Sequence, residues 1–115
     1  MPPIHLAGLQ SPLDYLILRT LSWGAQHGFG IARWLEETTS SALIVEEGTL
    51  YPALHRLARR KLIKGEWRTT ENRRRAKYYR LTAAGERALR AQAVAWNDLV
   101  RVLKQVAAAA AKPEA

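Results

Sequence analysis

The stretch from Gly48 to Thr82 constrains the fold most, because the spacing of its apolar residues changes from helical to extended. Apolar side chains recur every three or four residues from Leu50 to Leu57, which predicts an amphipathic helix. Apolar and polar residues then alternate on both sides of a polar turn at 69–74, which predicts two paired strands. A second helix is expected directly after Thr82, so the stretch predicts an α+β arrangement that is mainly helical with one small hairpin.

The first helix of this stretch carries polar and cationic side chains opposite its apolar stripe. Thr49 is predicted to be its N-cap, which places Pro52 in the first turn, where a proline costs no intrahelical hydrogen bond. Side chains of this kind can reach base edges and phosphates. The candidate contacts on the helix are Thr49, Tyr51, His55, Arg56 and Arg59. An ordinary solvated face would look the same, so the helix alone leaves both interpretations open.

The predicted hairpin adds a cationic tip to that helix. Its candidate contacts to phosphates or the minor groove are Arg73, Arg74, Arg75 and Lys77. Ile63, Gly65 and Trp67 are predicted to face inward, with Tyr79 and Leu81 on the returning strand. A basic helix followed by a basic strand pair suits double-stranded DNA, because the helix can enter a groove while the strands lie along the phosphates. The formal net charge of +8 favours a polyanionic partner, although charge alone is weak evidence.

The residues before this stretch are predicted to support it. Residues 1–11 form an N-terminal arm, either loose or packed on a partner, and Ser11-Pro12 starts a helix that ends at Gly24. Residues 27–30 form a turn, and a second helix follows. The apolar run 42–45 is either a short edge strand or an irregular segment. The expected organisation is an arm at 1–11, a DNA-binding domain at 12–82, a long helix at 83–111 and a disordered tail at 112–115.

The long C-terminal helix is predicted to begin after Thr82 as N-cap, with Glu86 supporting the first turn. Its apolar residues recur at alternating intervals of four and three, as in a coiled-coil seam. The predicted seam residues are Leu89, Ala93, Trp96, Val100 and Leu103. A second copy of the chain is the expected cover for this seam, which predicts a homodimer. Packing against the first helix of the same chain is the alternative, and both can hold at once.

Several functional classes are not supported by the sequence. There are no cysteines, which excludes disulfides and thiolate zinc sites, and His27 has no second metal ligand at usable spacing. No catalytic constellation and no cofactor site is found, so we expect no enzymatic function. The apolar run 13–21 is interrupted by Asp14 and Arg19, so we expect no membrane association and a cytoplasmic protein.

The run Gly48-Thr49-Leu50-Tyr51-Pro52-Ala53-Leu54 and the later Tyr78-Tyr79-Arg80-Leu81-Thr82 together resemble the PadR-like transcriptional regulators. The resemblance covers about residues 9–104, and it is closest to the short members with one C-terminal helix, in particular an acidobacterial subgroup. Glycine usually stands in relatives where this chain has Lys61.

This resemblance implies a winged helix-turn-helix in a bacterial repressor that is dimeric through its first and last helices. The helix from Thr49 would be the recognition helix, and the hairpin 63–81 would be the wing. Some short relatives bind flat aromatic molecules with a tryptophan at the dimer centre. Trp96 lies where that residue would be, so a small aromatic or phenolic effector and plain interface packing are both open for it.

The leading hypothesis is therefore a dimeric, sequence-specific DNA-binding repressor at an inverted-repeat operator, with release by a small ligand left open. The alternative is a winged-helix protein-interaction module or a non-specific basic nucleic-acid binder. Preferential binding to one duplex in the presence of excess random duplex distinguishes the first from the others.

Overall fold

The computed structural model describes residues 3–6 and 11–114. The described residues form four α-helices and a three-stranded antiparallel sheet with the strand order β1-β3-β2. The elements are α1 (Pro12–Leu21), β1 (Gln26–His27), α2 (Gly28–Thr38), α3 (Glu47–Arg59), β2 (Ile63–Thr69), β3 (Arg75–Leu81) and α4 (Ala83–Ala107). The predicted α+β class with a long C-terminal helix is confirmed.

Helix α1 begins as its sequence predicts. The Asp14 amide donates to the Ser11 hydroxyl at 3.2 Å, so Ser11 is the N-cap. Pro12 occupies the first turn, where a backbone N–H would have no partner within the helix, so its absence costs no hydrogen bond. The helix ends at Leu21, before Gly24, whose φ of 132° lies in a region that favours glycine. Gly24 therefore serves the turn into β1 and does not cap the helix.

The third strand of the sheet lies where the sequence predicted a turn. Gln26 and His27 pair with Tyr79 and Tyr78 of β3. His27 is also the N-cap of α2, because its Nδ1 accepts from the Gly30 amide at 3.0 Å. The α1–α2 connection thus occupies the edge of β3 that β2 leaves free.

The apolar run 42–45 forms no strand, so the edge-strand interpretation is wrong and the irregular one holds. Ser40 and Ser41 both have positive φ, and the Ser41 amide donates back to the Glu36 carbonyl at 2.7 Å. This turn directs Leu43 and Val45 toward the apolar core as an irregular segment.

Helix α3 begins three residues earlier than the sequence predicts. The amides of Thr49 and Leu50 both donate to the Glu46 carbonyl, at 3.0 and 2.9 Å, so Glu46 and not Thr49 is the N-cap. Pro52 consequently lies inside the helix, beyond its first turn. Its missing amide leaves the Gly48 carbonyl without a helical donor, and Gly48 is exposed to water that can replace it.

The apolar core lies where α1, α2, α3 and the sheet meet. Its fully buried side chains include Ile17 and Leu18 of α1 and Ile31 of α2. Leu50, Leu54 and Leu57 form the buried stripe of α3, as the sequence predicts, and Ile63 and Tyr79 close the core from the sheet.

Helix α4 is attached to the connection between α3 and β2. Thr82 caps α4 by accepting from the Gly85 amide at 3.0 Å, as predicted, and its hydroxyl lies 2.7 Å from the Lys61 carbonyl. The Thr82 amide donates to the Leu62 carbonyl at 3.1 Å. Lys61 has a φ of 61°, the left-handed conformation for which glycine is preferred. These contacts hold the start of α4 against the end of α3.

The buried stripe of α4 lies beside the predicted dimer seam. Gly85, Gln92 and Leu99 recur every seven residues and are buried within the chain. In the seam, Leu89, Ala93 and Trp96 are half-buried, whereas Val100 and Leu103 remain 45% and 57% exposed. The in-chain packing therefore covers one side of α4 and leaves its later seam positions open.

The predicted termini are only partly described. Residues 1, 2 and 7–10 of the expected arm and residue 115 of the expected tail lie outside the described residues. Helix α4 ends at Ala107, four residues before the predicted end at 111, and residues 108–114 are exposed.

Candidate nucleic-acid interface

The outer face of α3 presents all five predicted contacts to solvent. They do not form one stripe, because 3.6 residues per turn distribute them over the whole outer face. His55 and Arg59 lie one turn apart at its centre. Tyr51 lies at the edge next to α2, with its hydroxyl 3.3 Å from where a Cβ on Gly28 would be. Thr49 lies at the other edge, where it lines a groove with the start of α1.

Arg56 is held in an ion pair that the sequence did not indicate. Its Nη2 donates to Asp14 Oδ1 at 3.0 Å, and Asp14 is only 5% exposed. The bond joins α3 to α1 and gives the buried carboxylate a cationic partner. Arg56 thus differs from the other predicted contacts, since its guanidinium is directed toward α1.

The wing is a regular hairpin with an ordered tip. The strands pair from Ile63 with Leu81 to Thr69 with Arg75. Across the tip, the Thr70 amide donates to the Arg74 carbonyl at 2.7 Å, and the Arg73 amide donates to the Thr70 carbonyl at 2.9 Å. Arg73 has a φ of 60°. Backbone of this kind in a non-glycine residue is unfavourable, and it gives the three consecutive arginines distinct directions.

The outward face of the wing contains both charge signs. The Arg68 Nε donates to Glu66 Oε1 at 3.1 Å, and the Arg68 guanidinium lies 5.1 Å from the centre of the Tyr78 ring. The hydrogen bond from Arg68 lowers the pKa of Glu66, and the positive charge of Arg68 adds to that effect. Much of the charge of Arg68 is therefore neutralised within the wing.

The opposite face of the wing is continuous with the core and carries cations toward its tip. Trp67 was predicted to face inward, and it lies on the face that becomes the core at Tyr79, but it is 60% exposed. The hairpin extends past the last layer of core residues, so nothing covers its ring from the α3 side among the described residues. The Arg75 guanidinium lies 5.4 Å from the centre of that ring, and the Lys77 amine lies 5.9 Å from the centre of the Tyr79 ring.

Tyr79 joins this face to α3. Burial raises the pKa of the Tyr79 phenol above its usual value of 10.0, and the neighbouring Tyr51 adds to the rise. Tyr79 lies in the core on which α3 packs, and α3 also contacts β2, so the outer face of α3 is adjacent to the base of the wing. The result is one exposed surface, formed by α3 and the wing, with arginine and lysine at both ends.

The model of the transcriptional regulator PadR-like family matches residues 17–91, well over half of the chain. The chain belongs to the PadR-like family of transcriptional regulators. The resemblance inferred from the GTLYPAL and YYRLT segments is thereby confirmed.

Solved structures of the family are similar to this chain over most of its length. A PadR family transcription regulator from Clostridium difficile R20291 is 30% identical with a TM-score of 0.70, and the match covers 84% of this chain and 98% of that chain. A PadR-like transcription factor from Bacteroides fragilis is 34% identical with a TM-score of 0.67, over 82% and 88% of the two chains. Bacillus subtilis PadR, solved in complex with operator DNA, is 24% identical with a TM-score of 0.61, over 77% of this chain and 46% of that one. That last similarity concerns the fold.

In this PadR-like chain, α4 holds two buried polar atoms that lack a partner. Gln92 Oε1 and Trp96 Nε1 make no hydrogen bond with any described residue, and they lie one helical turn apart. An acceptor and a donor left unpaired in this way are costly when buried.

Other kinds of site are not found in the described parts of the chain. No group of three or more His, Asp or Glu side chains there could hold a metal ion. Within the same residues, no helix is both long and apolar enough to cross a membrane.

The structure adds residues to the PadR-like surface that sequence reasoning missed. His27 was assigned to a turn, although it caps α2 and its ring meets that of Tyr78 edge-on at 5.1 Å. The exposure of Trp67 was missed because strict alternation predicts which face a residue occupies and not how far the core extends along that face.

Proposed function

We propose that this PadR-like chain is a dimeric repressor that binds a specific operator. The observation that carries the proposal is the exposed surface formed by α3 and the wing, where a helix face and a hairpin side present cations next to each other. Bacillus subtilis PadR, which shares this fold, was solved in complex with operator DNA, and that supports a DNA-binding role for the fold. The protein would act in the bacterial cytoplasm, at the nucleoid, and by binding alone.

In this proposal α3 enters the major groove. His55 and Arg59 are central and exposed, so they would contact base edges, with Tyr51 and Thr49 at the two sides of the groove. Arg56 would contribute less than the sequence suggested, because it is paired with Asp14.

The wing would contact the phosphates and the minor groove. Arg73, Arg74, Arg75 and Lys77 are all exposed and surround one side of the hairpin tip. Contacts of this kind orient a protein on a duplex and supply affinity that falls as salt rises.

The seam of α4 supports a two-fold dimer. Val100 and Leu103 are exposed apolar residues, and Val106 extends their line with 71% exposure. Their burial against a second copy would complete the seam that begins with Leu89, Ala93 and Trp96. Two copies related by a two-fold axis would place two α3 helices on two half-sites of an inverted repeat.

A flat aromatic or phenolic ligand at Trp96 is part of the proposal. Its ring would stack on the indole of Trp96, which is half-buried beside the open part of the seam. Binding at the dimer seam could then change the spacing of the two α3 helices and release the operator.

The test begins with selection of bound duplexes from a random pool at physiological salt. An enriched inverted repeat supports the proposal. Binding that weakens equally for all sequences as salt rises would indicate a general basic binder and refute the proposal. Sedimentation of Leu103→Asp tests the dimer, with Val94→Asp as matched control, since Val94 is 62% exposed on the other side of α4. We expect only Leu103→Asp to give a monomer and to lose preference for the enriched repeat.

A further inference from the structure

Trp67 is the largest exposed apolar side chain of the wing, and the fold does not account for its exposure. It lies on β2, opposite Lys77 of β3, and it is 60% exposed although its strand neighbour Gly65 is half-buried. Burying a tryptophan side chain is strongly favourable, so one left in water contributes little to folding stability. Its position is better explained by a contact outside the chain.

The ring of Trp67 already has one partner, which is a cation of the wing tip. The Arg75 guanidinium lies 5.4 Å from the ring centre, within the range of a cation–π interaction. An arginine in water has many rotamers, and stacking on a rigid ring restricts them. Arg75 is therefore presented in a preferred orientation before any partner arrives.

The charge around Trp67 indicates what kind of molecule contacts it from outside the chain. Along the β2 and β3 positions that share its face, every ionised side chain is a cation, namely Arg75 and Lys77. The acid of the strands, Glu66, is on the other face, where it pairs with Arg68. The Lys77 stem crosses above Gly65, where an added Cβ would lie 2.6 Å from Lys77 Cε. The exposed indole is thus surrounded by positive charge that no described carboxylate neutralises.

We propose that Trp67 is a positioning residue of the DNA contact, whose indole holds the Arg75 guanidinium in place for the minor groove and packs its free edge on a deoxyribose. The inference rests on the proposed DNA-binding function and adds a residue that the cationic pattern does not include. Arginine side chains favour narrow minor grooves because the negative potential there is enhanced. Trp67 lowers the free-energy cost of that insertion, since Arg75 loses less conformational freedom on binding.

The test measures affinity for the selected operator and for a random-sequence duplex over a range of salt concentrations. The variants are Trp67→Ala, Trp67→Leu, Trp67→Phe, Arg75→Ala and the Trp67→Ala/Arg75→Ala double variant. Trp23→Ala is the matched control, because Trp23 is 71% exposed and has Arg19 at 5.2 Å from its ring centre, but lies between α1 and β1, outside the wing. Circular dichroism of every variant checks that the hairpin is still folded.

We expect Trp67→Ala and Trp67→Leu to weaken binding to both duplexes by about tenfold, near the upper end of what ordering one long side chain costs on binding. Trp67→Phe keeps an aromatic face and should lose less than about threefold. Trp67→Ala should leave the salt slope unchanged, whereas Arg75→Ala should reduce it by about 0.9. The double variant should lose less than the product of the two single losses, because the part of the Trp67 effect that acts through Arg75 disappears with Arg75 and only the deoxyribose contact remains.

Two results overturn the proposal. The first is a Trp67→Ala or Trp67→Leu variant that binds as tightly as Trp23→Ala and the unaltered chain. The second is a double variant whose loss equals the product of the two single losses. If the unaltered chain binds both duplexes equally, operator specificity fails while the Trp67 comparison still applies; if it binds neither, both proposals fail.

Discussion

Replacing Gly85 with alanine should break the attachment of α4 to the rest of the domain. Gly85 is buried at the third position of α4, and a Cβ on it would overlap the carbonyl oxygen of Leu62. Backbone cannot rotate away as a side chain can, so the start of α4 or the α3–β2 connection must move. That same carbonyl accepts from the Thr82 amide at 3.1 Å, and it shares the single proton of the Thr82 hydroxyl with the Lys61 carbonyl.

The magnitude follows from these contacts. Overpacking in a closed site costs about 1–3 kcal/mol. Weakening the two Thr82 bonds adds about 1 kcal/mol each. The better helix propensity of alanine offsets about 0.5–1 kcal/mol of this loss in stability. The expected net loss is about 2–4 kcal/mol in the free energy of unfolding, or roughly 8–16 °C in the unfolding midpoint for a chain of this length.

Gly48→Ala is the matched control. Gly48 lies in the first turn of α3, it is exposed, and an added Cβ there would meet nothing within 4 Å. The same chemical change should leave stability unchanged or raise it by up to about 1 kcal/mol. Urea unfolding followed by circular dichroism measures both variants. Equal stability changes for the two, or a stabilised Gly85→Ala, would show that the close approach of α4 to Leu62 does not exist.

Four further expectations follow from particular contacts. Arg56→Ala should lower the free energy of unfolding by about 1–3 kcal/mol, because it leaves the Asp14 carboxylate buried without its cation, and adding Asp14→Asn should restore part of the loss in urea unfolding. Lys61→Gly should raise stability by about 1 kcal/mol, since glycine adopts the φ of 61° without strain, and an unchanged or lower melting midpoint would contradict this. Tyr79 keeps its proton more tightly in the folded state than in the unfolded state, so the free energy of unfolding should fall as pH rises above 10, and Tyr79→Phe should remove a late-ionising component from the absorbance titration at high pH. Arg73→Ala should weaken binding to all duplexes and reduce the salt slope by about 0.9; loss confined to one operator, with an unchanged slope, would indicate a base contact instead.

Local patterns predicted most helix and strand positions because they depend on neighbouring residues. Ser11 and Thr82 were identified as caps from their position before apolar periodicity, and both accept the expected amide. The two long strands were predicted from alternation. Thr49 was wrong as a cap because several polar residues near Gly48 could start the helix, and only the backbone path into α3 selects Glu46.

Long-range contacts decided what local patterns could not. The third strand at Gln26 has only two residues and exists because the α1–α2 connection passes the free edge of β3. The ion pair between Asp14 and Arg56 joins residues 42 positions apart, so no spacing rule could indicate it. The ion pair also decides that Arg56, unlike its neighbours on α3, is held against α1.

The sequence by itself determined the α+β class, the amphipathic stripe of α3, the cationic wing and the family. These depend on residue type and short spacing, which the chain carries without folding. Tertiary structure alone decided that Arg56 is paired with α1, that α4 is attached at Leu62, and that Trp67 stands in solvent beside Arg75. The physical reason is that exposure and pairing depend on where the core ends and which elements meet, and that is set by the packing of the whole chain.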